Sequence, residues 1–365
     1  MATPLKNKYD DAYIEHLAHA LKKAHSAFHE KEFMRAVQDE HWHARELKAR
    51  MRHITICLHE KIDLPYKQVL NIFQEICQSF GGYHGMFFPD YVEQYGLGHW
   101  RESINALEYL TQFSSSEFAV RAFIRADQKR MMAQMEKWSK HENHHVRRLA
   151  SEGCRPRLPW ATFLPTLQQN PQPIFRILEN LQRDESLYVR KSVANNLNDI
   201  AKNHPELVLE LAAVWQKKHQ HTDWILKRAC RTLLKQTNAN ALALFDYKTA
   251  THVSANAFHC PEKIRMGENL TMQLCLQSTE ALGLLRIEYV IGFLRANGQH
   301  NQKVFQWTEK NFAELQVHLS KKHAFLPLST RTLHAGNHTL CVRINGKTVV
   351  QHAFDLLLSS QKPTQ

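Results

Sequence analysis

Hydrophobic residues recur at helical spacing through the first two thirds of this 365-residue chain. In residues 11–21 the apolar positions 14, 17, 18 and 21 lie on one face of an α-helix. Residues 43–60 and 66–80 continue the pattern, and the glycines of residues 81–85 interrupt it. The pattern predicts a succession of helices over residues 1–248.

Two segments of this helical part match each other, residues 145–152 and 188–195. Each enters a helix at Val-Arg, and six positions after the valine one has Glu152 and the other Asn195. Val-Arg also occurs at residues 120–121, and Lys227-Arg228 holds a similar place. The last two steps, 43 and 38 residues, are close to the ~40–47 residues of HEAT and armadillo repeats, whereas the first step, 26 residues, does not fit. Such repeats stack into a solenoid with a binding surface. We therefore predict a HEAT-like helical domain that binds a partner.

After residue 250 the period changes to an alternation of apolar and polar residues, as in 270–276, 285–293 and 339–347. A period of two is typical of half-buried strands, and Asn345-Gly346 is a strong hairpin signal. These features predict a small immunoglobulin-like β-sandwich over residues 251–360. The fold class is thus mainly α, with a β domain at the end.

The formal net charge is +12, and both parts of the chain carry more Lys and Arg than Asp and Glu. This balance favours a polyanionic partner, although a soluble protein can also be basic without one. No apolar run approaches the ~20 residues that span a bilayer, and the first residues lack a signal-peptide core. We expect a cytoplasmic protein without membrane contact.

Seven cysteines are scattered singly, which argues against a disulfide framework and against a C-x-x-C zinc site. The chain also has 24 histidines, some of them adjacent in sequence. Neighbouring residues on a helix point about 100° apart, and no further ligand completes a usual set. We predict neither a metal site nor a cofactor.

The predicted helix around residues 189–200 has two distinct faces. Its apolar face comprises Val189, Val193, Leu197 and Ile200. A polar stripe on another side comprises Lys191, Asn195 and Asp199. An acid in this setting on a binding face would be costly to dehydrate without a function, but the same spacing fits an ordinary solvated stripe. The pattern alone leaves both interpretations open.

Residues 151–160 form a denser candidate site. Gly153 is expected to end a helix, and the two prolines that follow stiffen the chain. Glu152, Arg155, Arg157 and Trp160 would then lie close together on a rigid corner. Arginine suits phosphate, and tryptophan can stack on a sugar or a base. A salt-bridged loop and a core aromatic are the alternatives.

Residues 146–160, Val-Arg-Arg-Leu-Ala-Ser-Glu-Gly-Cys-Arg-Pro-Arg-Leu-Pro-Trp, closely resemble the segment typical of AlkC-type DNA alkylation-repair glycosylases. Residues 187–199 resemble the next repeat of that family, and residues 82–86 also fit. The resemblance covers nearly the whole chain, including a C-terminal β domain that only some AlkC members carry. It implies a HEAT-like fold and an enzyme that excises positively charged alkylated bases, chiefly 3-methyladenine and also 3-methylcytosine, without full base flipping.

The resemblance also implies roles for individual residues. Glu152 and Asp199 match active-site positions, Trp160 matches the aromatic beside them, and Glu117 matches a third acidic position. Expected DNA-binding residues are Arg148, Arg155, Arg157 and Arg190, to which we add Lys191 and Asn195 of the polar stripe.

The function that follows is a monofunctional, metal-independent DNA glycosylase. The base leaves neutral, so carboxylates need only stabilise the oxocarbenium-like sugar and orient water. The expected partner is double-stranded DNA with alkylated bases, bound by a monomer. The alternative is a non-enzymatic HEAT scaffold that binds nucleic acid or an acidic protein. The β domain is expected either to cap the helices or to add DNA contacts from loops at residues 295–303 and 321–323.

Overall fold

The computed structural model describes residues 4–326 and 332–358. Residues 1–3 of the predicted helical domain and residues 327–331 and 359–360 of the predicted β domain lie outside the described residues. Within the described part, sixteen α-helices precede eight β-strands. The predicted order, helical repeats followed by a β-sandwich, is therefore confirmed.

The helices are α1 Asp11–Ala24, α2 Glu30–Val37, α3 Leu47–Lys61, α4 Tyr66–Ile76, α5 Phe87–Tyr95, α6 Trp100–Leu110, α7 Val120–Ala126, α8 Gln128–Trp138, α9 His144–Glu152, α10 Pro165–Gln169, α11 Gln172–Leu181, α12 Leu187–Ile200, α13 Pro205–Trp215, α14 Gln220–Ala229, α15 Arg231–Lys235 and α16 Ala239–Leu244. The strands are β1 Ser254–His259, β2 Lys263–Arg265, β3 Asn269–Gln277, β4 Gly283–Leu294, β5 His300–Phe312, β6 Gln316–Ala324, β7 Gly336–Ile344 and β8 Lys347–Leu357.

The chain divides into two compact units. One comprises residues 1–208 and 214–229, and the other comprises residues 209–213 and 230–365. The domain boundary at residues 248–251 stays a prediction from composition. Within the described residues, no helix has the length and apolar character needed to cross a bilayer.

In the first unit, amphipathic helices pack as neighbours along the chain. Helix α8 packs against both α7 and α9, and α12 packs against both α9 and α14. The predicted apolar face of α12 forms part of the core, because its four residues are at most 1% exposed. Burying such a face is what holds a helix of this length in place.

Polar caps determine where the helices near the site begin. The Asn143 side chain accepts a hydrogen bond from the backbone N–H of His145, and Asp127 does the same for Arg130. These bonds satisfy amides that have no partner inside the helix. Helix α9 therefore begins at a defined residue, and Glu152 is its final residue.

In the second unit, two sheets pack face to face. One has the order β1-β3-β6 and the other β2-β8-β7-β4-β5, and every pair is antiparallel except β2 with β8. Alternate residues of β3 and β4 fill the space between the sheets, among them Leu270, Met272, Ile287 and Tyr289. This arrangement confirms the predicted immunoglobulin-like sandwich.

The hairpin between β7 and β8 turns at Asn345 and Gly346, as predicted. Both residues have positive φ angles, 46° and 87°, as a two-residue type I′ turn requires. The loops predicted at residues 295–303 and 321–323 are partly wrong, because His300 already begins β5 and residues 321–323 lie within β6. Strand β6 is at the edge of its sheet, where lysines discourage pairing with other chains.

Candidate active site

Helices α9 and α12 bring two acidic residues to neighbouring positions. Glu152 ends α9, and Asp199 lies in the last turn of α12, which packs against α9. Gly153, just after α9, lets side chains of α7 and α8 approach the end of that helix, since a Cβ there would lie 2.4 Å from a methyl group of Val120 and 2.9 Å from the Met135 side chain. Two acids far apart in sequence thus meet because two repeats stack.

A single guanidinium joins the two carboxylates. Arg155 Nη1 donates to Glu152 Oε1 at 2.5 Å, and Arg155 Nε donates to Asp199 Oδ2 at 2.9 Å. The side chains of Glu152 and Asp199 are 7% and 3% exposed. Both acids therefore lie close together near the surface with little contact to water.

The pairing continues on both sides. Arg148 Nη1 donates to Glu117 Oε2, while Arg148 Nη2 lies 3.4 Å from Glu152 Oε1. Lys202 Nζ donates to the second Asp199 oxygen at 3.2 Å. We call Glu117, Glu152 and Asp199 the acid cluster. In it, each acid contacts at least one base, and two arginines link all three acids.

The acid cluster keeps its arginines protonated. Burial opposes the charged form of Arg155, but Glu152 and Asp199 raise the pKa of Arg155 above its ordinary value. Burial likewise opposes charge on Arg148, and Glu152 and Glu117 raise its pKa. In the contacts given above, the guanidinium groups of Arg148 and Arg155 bind protein carboxylates. Their predicted phosphate-binding role therefore stays a prediction.

Trp160 is exposed beside this cluster. Its side chain is 64% exposed, which excludes the core-aromatic alternative. Its backbone is left-handed, with φ 63°, a conformation that costs free energy in a bulky residue. Lys48 Nζ donates to the Trp160 carbonyl at 2.6 Å, and the Tyr83 ring meets the indole edge-to-face at 6.1 Å. These contacts hold the strained backbone.

Arg121 supports the segment after α9, which carries Arg155 and Trp160, from the protein interior. It is 1% exposed, and it donates to the carbonyls of Gly153 and Arg155, both at 2.9 Å, and of Thr162 at 2.6 Å. Burial lowers the pKa of Arg121 to about 10, so it stays charged at neutral pH. One buried cation thus fixes both sides of the segment that carries Arg155 and Trp160.

The other two Val-Arg steps use their arginine differently. Arg147 Nη1 donates to the carbonyls of His141 and Glu142, and Arg190 Nη1 donates to those of Asp184 and Glu185. Each arginine therefore closes the loop that leads into its own helix. The predicted DNA contact of Arg190 stays a prediction.

The remaining predicted DNA-binding residues lie at different depths. Arg157 is exposed and donates twice to the side-chain oxygen of Asn203, at 3.2 and 2.8 Å. Lys191 is exposed, Asn195 is half-buried and Asp199 is buried. The polar stripe is therefore not an evenly solvated one, because it runs from the surface into the acid cluster.

Cys154 lies under the same corner. It is fully buried, and its thiol donates toward the carbonyls of Ala150 and Ser151. Burial raises the pKa of Cys154 to about 12. In the described part of the chain, no group of three or more His, Cys, Asp or Glu residues could hold a metal ion.

Sequence reasoning missed three residues that shape this site. Arg121 was visible as part of a Val-Arg step, and Tyr83 lies in the Gly82–Met86 stretch of the resemblance, but neither received a role. Lys48 gave no signal, since it is one of many basic residues on a predicted helix.

Comparisons with known proteins cover both units. A family model described as "DNA alkylation repair enzyme" matches residues 100–233, which include the acid cluster. A second, "Uncharacterised protein YhaZ, C-terminal Ig-like domain", matches residues 254–358. The YhaZ protein of Bacillus subtilis (strain 168) is 47% identical over 345 residues, which are 94% of this chain and 96% of that protein.

The chain is also similar to a solved structure with bound DNA. That structure is the Pseudomonas fluorescens alkylpurine DNA glycosylase AlkC bound to DNA containing an abasic site analog. The two chains are 35% identical, and the match has a TM-score of 0.93 and covers 97% of this chain and 100% of AlkC. The chain therefore belongs to the DNA alkylation-repair enzyme family, with the AlkC arrangement of helical repeats and an immunoglobulin-like domain.

Proposed function

We propose that this protein is a DNA glycosylase that hydrolyses the N-glycosidic bond of positively charged alkylated bases in double-stranded DNA. The substrates would be 3-methyladenine chiefly and also 3-methylcytosine. The observation that carries the proposal is the acid cluster, whose three carboxylates are fixed by Arg148 and Arg155. The match to a DNA glycosylase over nearly the full chain supports the same conclusion.

The chemistry needs little acid–base help. Methylation at N3 gives the base a positive charge, so the base leaves with the electrons of the C1′–N bond and becomes neutral. The sugar becomes an oxocarbenium-like cation, and water then adds to C1′ and loses a proton. Fixed carboxylates stabilise the cation and orient the water. This scheme uses neither a strong general acid nor a metal ion.

Burial of the acids suits this role. Glu152 and Asp199 are 7% and 3% exposed, so a sugar pressed against them would displace the remaining water. Charges interact more strongly in such a medium of low dielectric constant. Since Arg155 already orients both carboxylates, little reorganisation is needed during the reaction.

The surface beside the acids offers the other contacts. The exposed Trp160 indole can lie against the deoxyribose, and the exposed Arg157 and Lys191 can bind phosphates. Many base-excising enzymes first extrude the nucleotide into a pocket. A cationic base is already a good leaving group, so we propose that it is released without full flipping before cleavage, by a monomer.

Neutralising both main acids tests the proposal. The Asp199→Asn, Glu152→Gln double variant should bind alkylated duplex DNA but release 3-methyladenine at least ~1,000-fold more slowly, because removing one preorganised stabilising group commonly costs about 100- to 1,000-fold. Chromatography of the bases released from methylated DNA measures the effect, and a DNA-binding titration is run in parallel.

A matched control separates this effect from a general change of charge. The Asp63→Asn, Glu75→Gln variant changes two exposed acids in the same way and should excise at the normal rate. Near-normal excision by the Asp199→Asn, Glu152→Gln variant would contradict the mechanism. DNA binding without base release by the unmodified protein would instead support a non-enzymatic scaffold.

A further inference from the structure

A cavity of about 340 Å³ lies next to the acid cluster. Glu117 and Arg148 form one wall, and the rings of Tyr83, His145 and Tyr188 border it as well. Small-molecule sites are commonly about 300–1,000 Å³, so the cavity is of a size for a single small ligand. Glu117 belongs to both the cavity and the acid cluster.

Ring side chains form part of the cavity wall. The His145 and Tyr188 rings meet edge-to-face at 5.7 Å, and the Arg148 guanidinium lies over the Tyr188 ring at 4.9 Å. Tyr83 in turn contacts the Trp160 indole. Aromatic faces of this kind suit a planar heterocycle, because every nucleobase has a face that can stack.

Two hydroxyl groups of the cavity-lining residues have no protein partner. Among the described residues, Tyr83 Oη and Ser114 Oγ are buried without a hydrogen bond. Buried polar groups are normally satisfied, so a small rotation that turned either hydroxyl into the cavity would gain it a partner there. Burial, followed by the charge of Glu117, raises the pKa of Tyr83 to about 12, so the phenol remains able to donate.

The charges of the wall favour a neutral ligand. The Glu117 carboxylate is paired with Arg148, so the wall carries no unbalanced charge from this pair. Burial, His144 and Arg148 lower the pKa of His145, so its ring is mostly neutral at pH 7 and can both donate and accept. A cation would find no unpaired carboxylate in this pair and would lie close to the Arg148 guanidinium, whereas a polar uncharged ring would find several partners.

We infer that this cavity binds the free base after excision, an uncharged methylated purine or pyrimidine. The inference rests on the proposed glycosylase function. Cleavage beside Glu117 releases a planar, neutral base at the wall that it shares with the cavity. The base leaves the acid cluster, stacks on the aromatic wall and offers its ring nitrogens and amino group to the unpartnered hydroxyls.

The first experiment measures binding in the absence of DNA. The full chain is titrated with free 3-methyladenine in a calorimeter, and saturable binding to one site is expected. Tyr188→Leu removes an aromatic wall residue that is 41% exposed and should weaken binding at least ten-fold. Tyr95→Leu, the same change on α5 away from the cavity, should leave binding unaltered. His145→Leu is a second variant and should also weaken binding.

The second experiment separates a product site from a lesion site. Added 3-methyladenine should inhibit steady-state excision, and Tyr188→Leu should relieve the inhibition while its single-turnover rate stays within two-fold of normal. Excision without any binding of the free base would overturn the inference and leave the proposed function intact. A single-turnover rate that falls as much as binding does would overturn it too, since the cavity would then act before cleavage. Binding of the base by a protein that excises nothing would refute the proposed function instead.

Discussion

Three helices of the first unit carry the same Val-Arg pair near their N-terminal ends, and their arginines bind different groups. In α9 and α12, Arg147 and Arg190 donate to carbonyls five and six residues earlier, in the loop before their own helix. In α7, Arg121 reaches carbonyls 32 to 41 residues later, in the segment that carries Trp160. The first two stabilise a repeat, and the third builds the site.

The difference shows that a repeated motif determines the position of a residue on its helix but not the groups that its side chain binds. Both Arg121 and Arg147 follow a fully buried valine. What differs is the neighbouring segment, since two prolines carry the chain after Gly153 across the guanidinium of Arg121. Arg121 therefore positions the segment that carries the site, while the same Val-Arg pair still packs its helix into the repeat.

Among the substitutions that test this comparison, replacing Arg121 should have the largest effect on stability and excision. Arg121→Met leaves three carbonyls without their donor, so we expect the free energy of unfolding to fall by on the order of 3 kcal/mol. Excision per folded molecule should fall more than ten-fold, because the segment with Arg155 and Trp160 is no longer held. Denaturant unfolding and single-turnover excision measure the two effects.

Arg147→Met is the matched control for that experiment. It removes contacts to Asp184 and to two loop carbonyls, so it should lower stability by about 1–3 kcal/mol. Its excision rate per folded molecule should stay within two-fold of normal. Equal losses of excision in the two variants would show that Arg121 acts through general stability alone.

Replacing Lys48 should have a smaller effect on excision, through the same segment. Lys48→Met removes the hydrogen bond to the Trp160 carbonyl and the contact of Nζ with the Phe118 ring, 4.5 Å from its centroid. We expect excision to slow by about three- to ten-fold with a stability change below about 1 kcal/mol. In a Trp160→Ala background the same substitution should have little further effect, because Lys48 acts by positioning Trp160. Additive effects on excision would contradict this role.

The smallest effect on excision is expected at a site away from the acid cluster, where two acids share one arginine and the change concerns stability alone. Arg52 binds Asp90 and lies 3.4 Å from Glu93, whose side chain is 19% exposed. Burial, and then the charge of Asp90, raises the pKa of Glu93 to about 7 from an ordinary 4.5. The folded state therefore holds more protons than the unfolded chain between these values. Glu93 thus supports stability below pH 4.5, and that contribution is lost as pH rises to about 7.

Glu93→Gln removes this titration. Its stability relative to the unmodified protein should rise by about 3 kcal/mol between pH 4.5 and pH 7.5. Taking the difference between the two proteins at each pH cancels the contribution of the histidines. Unfolding curves measured across the range provide the check, and a constant difference would show that Glu93 titrates normally.

Much of the architecture was predictable from the chain. The period of the apolar residues predicted the helices, the alternation after residue 250 predicted the strands, and Asn345-Gly346 marked its turn, because each signal acts over a few neighbouring residues. The strand at residues 321–323 was missed, since lysines on an exposed edge strand look like a loop. The pairing of Arg155 with Asp199 depends on two stacked repeats, and no local pattern records such a contact.

The burial of Cys154 has a chemical consequence for a member of a DNA alkylation-repair family. Only the thiolate form of cysteine is a strong nucleophile, and the buried thiol of Cys154, with its pKa of about 12, stays protonated. Electrophiles that methylate nucleic acid would therefore find a poor target under the corner that carries Arg155 and Trp160. The cysteine next to Arg155 in sequence thus adds no reactive nucleophile to the segment on which the proposed chemistry depends.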